Sequence, residues 1–596
     1  MSTPVTVTTL LKQGANEIRA RFETTLYRFF EMTLIKNIHQ AFIVGCFSVA
    51  MAIALAAPIN HAGAQQQRDR RVASEATPTP PPAPSPTPLR SPTPARPVNN
   101  APHTLAELLS RIQEVVRQPA LEPGFFAVKI VSLDTGNVIY EQNANKFVRP
   151  ASNMKLYTVA TALDRFTPDY HFITSVYAKE KVDDGKIKGD LIIYGRGDPS
   201  IAARFNNGDY FKGIDALAER IAAAGVKRVK GDLVGDESYF NGAPLGGGWE
   251  WEDLQWADGA QVSALTINDN VIDVTVKPGE KPGAPLMFTT APGPFIAIAN
   301  RGTTSARGGK SDLRLYRAVG ASVLEISGSL PVGDNGFEGK VAIPDPALAF
   351  VTMLRDALVK RGVKVDGRLR TIDSRSDKSL VPYDPALGLV RYQQPPALLE
   401  IASLSSQPFS SIAAQTLKPS QNLYTEIILR TLSRARVGPN LSTQPMSRET
   451  QSDEDAGLIL VRTFLRQAGV NESELVINDG SGLSRNDMIT ANATVQLLTF
   501  MSKHRYFATF RDALPIAGVD GTLRTRMRGT PAEGNLRAKT GSLNSVASLS
   551  GYVTTAAGEH LVFSMMLNNY PSASAVRRDS IDAIAILLAS FAGKSQ

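Results

Sequence analysis

The sequence predicts an α+β fold interrupted by a long β-rich insertion, and three observations carry that prediction. "LAELLSRIQEVV" (Leu105 to Val116) has the apolar spacing of an amphipathic helix. "FAVKIVSLDTGNVIYEQNANKFVRPAS" then reads as two strands joined at Asp134-Thr135-Gly136, running through a loop to Pro150 and a second helix. From about Thr174 to Pro344 the texture changes to short strand-like pieces between glycine turns, with one helix pattern at Phe211 to Ala224. Helix patterns return at Ala347 to Arg361 and from Leu398 onward. A helix, an antiparallel pair and more helices make a layered α+β domain, and the β-rich stretch between about residues 172 and 394 splits it.

The N-terminal part is of another kind. Ala41 to Ala57 ("AFIVGCFSVAMAIALAA") is uncharged and apolar, preceded by Lys36 and followed by the small-x-small pattern Ala62-Gly63-Ala64, the three parts of an export signal. Translation from Met32 would give a leader of ordinary length. An uncleaved membrane anchor is the alternative, since this run just reaches the minimum for spanning a bilayer. Residues 65–102 hold "ATPTPPPAPSPTPLRSPTPARP", too rich in proline for helix or sheet, so an extended spacer is expected.

With 596 residues, 43% hydrophobic and 20% charged, the chain is long enough for more than one domain. The formal charge of +8 is uneven: residues 1–100 hold ten Lys or Arg against five Asp or Glu, leaving about +3 for the rest. So weak a field argues against nucleic acid as a partner. The single cysteine, Cys46, lies in the apolar leader, so neither an intramolecular disulfide nor a thiolate metal site is available. Beyond His103 at the linker boundary, the histidines are His171, His504 and His560; they stand in no H-E-x-x-H spacing, and there is no G-x-S-x-G elbow. Gly195-x-Gly197 runs into Asp198-Pro199 and so opens no dinucleotide-binding helix. No metal and no cofactor is expected.

Three short motifs remain. In "PASNMKLYTV", Ser152 and Lys155 are i and i+3 on a helix face, so an amine can reach a hydroxyl. A neutral, desolvated lysine would accept its proton, and a solvated helix-start serine is the bland alternative. In "LKPSQNLYTEIILRTL", Ser420 and Asn422 open a helix, where an N-cap is the alternative. In "LRAKTGSLNSVASLSGYV", Lys539-Thr540-Gly541-Ser542 precede an alternating strand, and glycine in a strand marks a close backbone approach. Singly each is weak. In this order and these local structures, S-x-x-K, S-x-N and K-T-G form the signature of active-site serine penicillin-interacting enzymes.

With them go "YGRGDPS" (Tyr194 to Ser200), "VGDESYF" (Val234 to Phe240), "GWEWEDL" (Gly248 to Leu254), "SQNLYTE" (Ser420 to Glu426), "NDGSGLSR" (Asn478 to Arg485) and "AGVDGTL" (Ala517 to Leu523). Over about residues 103 to 593 the chain resembles the D-Ala-D-Ala carboxypeptidase/endopeptidase family, the low-molecular-mass class C penicillin-binding proteins of peptidase family S13. The roughly 270 residues between Ser152 and Ser420 fit that family's two inserted domains. The resemblance implies a penicillin-binding/β-lactamase-like α/β sandwich, a five-stranded antiparallel sheet flanked by helices, with two β-rich inserted domains. The implied segments are 103–172 with 394–596 for the catalytic domain, 173–262 with 345–393 for one insert, and 263–344 for the other, after a leader (1–64) and a linker (65–102).

It also implies a serine D,D-carboxypeptidase, and a D,D-endopeptidase, acting on peptidoglycan stem peptides through an acyl-serine and acylated by β-lactams, in an exported, periplasmic protein. Ser152 would be the nucleophile, Lys155 its base, Ser420 the proton relay and Asn422 a holder of substrate and lysine. Lys539 and Thr540 would grip the substrate carboxylate, with Lys539 helping to keep Lys155 neutral; Gly541 and Ser542 would line the site, the Ser542 N–H sharing an oxyanion hole with that of Ser152. Asp236 and Arg485 match positions facing the substrate side chain, against a turn cap and a surface ion pair as alternatives. Asn544 stands where relatives carry glutamine. A β-lactamase or esterase on the same fold, and a non-catalytic wall-binding scaffold, are the rival functions.

Overall fold

Strand alternation decides the layering. The principal elements before the insertion are α1 (Leu105–Val116), β1 (Phe125–Ser132), β2 (Val138–Gln142) and α2 (Met154–Phe166). After it come α3 (Phe409–Leu417), α4 (Asn422–Arg434), α5 (Asp453–Gln467), α6 (Ala491–Ser502), β3 (Arg537–Leu543), β4 (Val546–Thr554), β5 (His560–Asn568) and α7 (Ser574–Ser590). On β1, Phe126, Val128 and Ile130 share a core with Leu108 and Ile112 of α1 and Ile584 and Leu588 of α7. Ala127 and Val131 point the other way, into a core with Leu156, Leu163, Ile428 and Leu498 from α2, α4 and α6. Period two thus gives one strand two apolar faces, and each needs a covering layer.

The computed structural model describes residues 101–374, 398–434, 452–570 and 574–595, apart from the side chains of 574–577. The leader, nearly all of the linker and the expected boundary at 393/394 lie outside the described residues.

The five strands run in the order β2-β1-β5-β4-β3, and every neighbouring pair is antiparallel. β1 pairs with β5 from Phe125↔Asn568 to Ser132↔Leu561, so the two ends of the chain close one sheet. β3 lies at the edge of the sheet, and on its outer side Ile516 bridges Arg537 while Ala538 N donates to Pro515 O. α1 begins on a reciprocal cap: Thr104 Oγ1 accepts from Glu107 N at 3.2 Å while Glu107 Oε2 accepts from His103 N at 2.9 Å.

The chain leaves this domain through Ile173–Ala178 and returns through Leu399–Ser405, and these two strands pair antiparallel. They belong to a second five-stranded sheet completed by Leu191–Tyr194, Leu233–Asp236 and Leu369–Ile372. The segment from 394 onward was expected in the outer domain and as helix from Leu398. Leu399–Ser405 is instead an edge strand of this other sheet, because entry and exit strands satisfy each other's backbone groups where the chain crosses over. Helices Lys212–Ala223 and Pro346–Lys360 pack on the sheet through Ile214, Leu217, Phe350 and Leu354. Residues 271–342 form smaller sheets of their own.

Asn568, at the end of β5, fastens the segment leading to α2: its Oδ1 accepts from Arg149 N at 2.7 Å and its Nδ2 donates to Arg149 O at 3.1 Å. Asn568→Ala leaves both groups without these partners, and a loss of about 1–3 kcal/mol is expected in urea unfolding.

Candidate active site

The turn carrying Ser152 is pinned from both sides. Ala151 has φ 48°, a left-handed conformation that costs a non-glycine residue about 1–3 kcal/mol unless its surroundings enforce it. Ser548 Oγ on β4 donates to Pro150 O at 2.8 Å, and Asn153 Nδ2 donates to Ser550 Oγ, also at 2.8 Å. Ser550 in turn donates to Ser564 on β5. Side chains of the sheet therefore hold the residues before and after Ser152, and Ser152 itself stays partly exposed.

One turn on, Lys155 is completely buried. Its Nζ lies 2.9 Å from Ser152 Oγ, 2.6 Å from Asn422 Oδ1 and 2.7 Å from Ser481 O. Burial pulls the amine down to about 8, although the carboxylates of Asp479, Asp258, Glu426 and Asp487 all oppose the shift.

The second motif does not cap its helix through Ser420. Gln421 Oε1 accepts from Leu423 N at 3.0 Å, while Ser420, at φ 66°, accepts from Lys539 Nζ at 2.8 Å. Asn422 Nδ2 donates to Asp258 O at 3.0 Å, which turns Oδ1 toward Lys155.

Lys539 is also fully buried, and its Nζ donates as well to Thr540 O at 2.8 Å. Burial holds its amine well below the usual lysine value, and Lys155 pushes it further the same way. Burial is thus the main cause of the shift at both amines, and the like charge of Lys155 adds to it at Lys539. Thr540 Oγ1 shares a hydrogen with Thr522 Oγ1 at 2.7 Å. Gly541 abuts Ser152: a Cβ there would lie 2.7 Å from Pro150 O, 3.0 Å from Ser152 N, and closer still to Ser548 Oγ. Ser542 is exposed on β3 opposite Ala547, and Asn544 is exposed in the two-residue tip before β4. Three stretches far apart in sequence therefore meet around Ser152.

The description "D-Ala-D-Ala carboxypeptidase 3 (S13) family" matches residues 108–383 and 386–591. The chain belongs to this S13 family. It is accordingly a serine-type D-Ala-D-Ala carboxypeptidase, a hydrolase. A D-alanyl-D-alanine carboxypeptidase of Actinomadura sp. (strain R39) is 34% identical over 503 residues, spanning 82% of this chain and 86% of that protein. The crystal structure of penicillin binding protein 4 (dacB) from Haemophilus influenzae superposes with a TM-score of 0.66 at 22% identity, covering 80% of this chain and 97% of the other. The same protein complexed with a β-lactam gives 0.60 at 21%, with the same coverage. These likenesses establish the penicillin-binding fold.

Two expected contacts of this S13 chain lie apart from the lysine network. Asp236 ends a strand of the second sheet and is fully buried; its Oδ1 accepts from Ser238 N at 3.0 Å, the turn-cap arrangement. Arg485 donates to Glu250 Oε2 at 3.1 Å and lies 3.7 Å from Asp253 Oδ2, an ion-pair cluster whose partners lie in "GWEWEDL". Its carbonyl accepts from Arg149 Nε at 3.2 Å, three residues before Ser152 in the chain.

Other residues of the site escaped the motif reading. Ser481 supplies a main-chain acceptor to Lys155, and buried Asp479 shapes its loop by accepting from Gly482 N, Ser484 N, Ser481 Oγ and Trp249 Nε1. Glu426, one turn after Asn422, accepts from Gly480 N at 3.1 Å. The signal was present: one aspartate among the small residues of "NDGSGLSR" is a loop folded about its own carboxylate.

Gly541→Ala would drive a methyl into the Ser152 turn. Acylation by penicillin should fall at least about 100-fold, as for a displaced reacting group, while circular dichroism stays native; labelling at the wild-type rate would contradict this packing.

Proposed function

We propose that Ser152 is the acylated nucleophile and that neutral Lys155 is its general base. The observation that carries this is the partner set of Lys155. Asn422 Oδ1 and Ser481 O can only accept. A neutral amine has two N–H groups, and both go to these acceptors; its lone pair is left facing Ser152 Oγ. The hydroxyl then donates to nitrogen, and the proton moves as Oγ attacks.

The electrophile is the carbonyl of the penultimate D-Ala in a D-Ala-D-X stem peptide of peptidoglycan. Oγ bonds to carbon while its proton passes to Lys155. The oxyanion is held by the N–H groups of Ser152 and Ser542, each such donor contributing about 3 kcal/mol. The C–N bond breaks, and the leaving amine takes a proton relayed through Ser420. Water then attacks the acyl-serine, giving hydrolysis. Lys539 and Thr540 receive the terminal carboxylate beside edge strand β3. The same steps cleave a D,D cross-link when the leaving amine belongs to a second stem peptide, so endopeptidase activity is part of this reading.

β-Lactams mimic the acyl group and carboxylate, and the β-lactam complex of the Haemophilus influenzae protein supports their inclusion as inhibitors. Export to the periplasm is supported by the leader pattern at 41–64; whether that leader also tethers the protein is answered by the mature N-terminus. Among the described residues no helix is long and apolar enough to cross a membrane.

The test is labelled penicillin. A stable, one-to-one adduct should map to Ser152. Lys155→Ala should slow acylation by at least about 100-fold, the usual scale for a lost general base, with the fold intact; normal labelling of that variant would refute the assigned base. Because the reactive form is the neutral amine, the acylation rate should climb as pH rises through about 8, measured under single-turnover conditions.

A further inference from the structure

Resting on the acyl-serine reading, we infer that half-buried Arg204 with buried Asp269 and Tyr424 forms a clamp by which the inserted segment positions Asn422, and through it Lys155.

The clamp is built on a strained turn. Asn268, Asp269 and Asn270 have φ of 47°, 59° and 55°, three left-handed residues in succession and all buried. Asparagine and aspartate visit this region as single residues, so a run of three persists only where its surroundings enforce it. The flanking side chains do so. Asn268 accepts from Ala203 N and donates to Tyr210 O, both at 3.0 Å. Asn270 accepts from Ile267 N at 3.0 Å and donates to Gln261 O at 2.9 Å.

What the turn achieves is the presentation of Asp269 at its apex. That carboxylate accepts a fork from Arg204, Nε at 3.1 Å and Nη2 at 2.6 Å to Oδ2, and a short hydrogen bond from Tyr424 OH. Phe205 stacks on the Tyr424 ring at 6.0 Å and 29°, and the Arg204 guanidinium lies 5.6 Å from its centroid. Arg204 and the hydrogen bonds keep Asp269 ionised in spite of its burial.

Tyr424 is two residues beyond Asn422 in the first turn of α4. The segment that holds Tyr424 also supplies Asp258 O to the Asn422 amide. The first turn of α4 is therefore fixed to the insertion at two points, and the Asn422 carbonyl is aimed by that attachment rather than by α4 alone. Arg204, Asp269 and Tyr424 touch no reacting atom; they are positioning residues. Phenylalanine at 424 removes the hydroxyl and keeps the ring, so the helix keeps its packing and loses its anchor.

The experiment is single-turnover acylation by fluorescent penicillin, expressed per active site and followed from about pH 6 to pH 10. Tyr424→Phe should lower the rate constant about 10- to 100-fold. Without Asn422 as acceptor the Lys155 ammonium is less favoured, among facing groups Asp258, Glu426, Asp479, Asp487 and Lys539, so the acid limb should move to lower pH. Arg204→Lys, which keeps the charge and loses the fork, should give a smaller change in the same direction, and it carries the test if the phenylalanine variant does not fold. A merely structural role would reduce the number of labelled sites and leave both the per-site rate and the pH profile at wild-type values, and that result overturns the inference. Failure of the wild-type protein to form an adduct on Ser152 would instead overturn the acyl-serine reading beneath it.

Discussion

A lysine side chain taken wholly out of water is the constraint around which this site is arranged. An ammonium so buried is costly, and the amine answers by giving up its proton more readily than in solvent. Four surrounding carboxylates pull in the opposite direction, which leaves the group near 8, not far lower. That balance keeps Lys155 useful: a base poised close to ambient pH combines a usable neutral fraction with real proton affinity. The acidic surroundings are thus part of the tuning. They also need their own support, and the loop folded around Asp479 supplies it through main-chain donors at Gly482 and Ser484.

Position is supplied by the sheet. Ser548, Ser550 and Ser564 are polar residues inside an otherwise apolar layer, and each earns its place by bonding to the turn that carries Ser152 or to another serine that does. Gly541 completes the approach, since any side chain there would push β3 away from Ser152. Ser152 is held by rigid elements on two sides, which is how a left-handed alanine at 151 survives.

The parts of this arrangement that follow local rules were legible in the sequence. Spacing of i and i+3 gave the Ser152–Lys155 contact, and alternation gave β1 and β2. Properties that depend on distant chain were not. Ser420 looks like an N-cap until Gln421 takes that task, and Lys539 looks like a cation until its complete burial is seen. Leu399–Ser405 reads as helix because its strand partner is some two hundred residues earlier in the chain. For Asp236 and Arg485 the resemblance implies a substrate-facing role, and the structure adds their local partners, Ser238 N for the first and Glu250 with Asp253 for the second, which motif spacing could not reveal.

Two buried amines so close cannot both carry a proton at little cost, and this bears on substrate choice under the proposed mechanism. Burial lowers both amines; carboxylates around Lys155 oppose the shift there, and Lys155 adds to it at Lys539. A substrate carboxylate arriving beside Lys539 and Thr540 favours the charged form of the nearer amine. Charge on Lys539 then disfavours charge on Lys155, whose lone pair is released toward Ser152. Binding of a free C-terminal carboxylate therefore prepares the base as well as the nucleophile's target. An uncharged ligand of the same shape would occupy the cleft without favouring charge on Lys539, so discrimination arises in the acylation step itself and not in affinity alone.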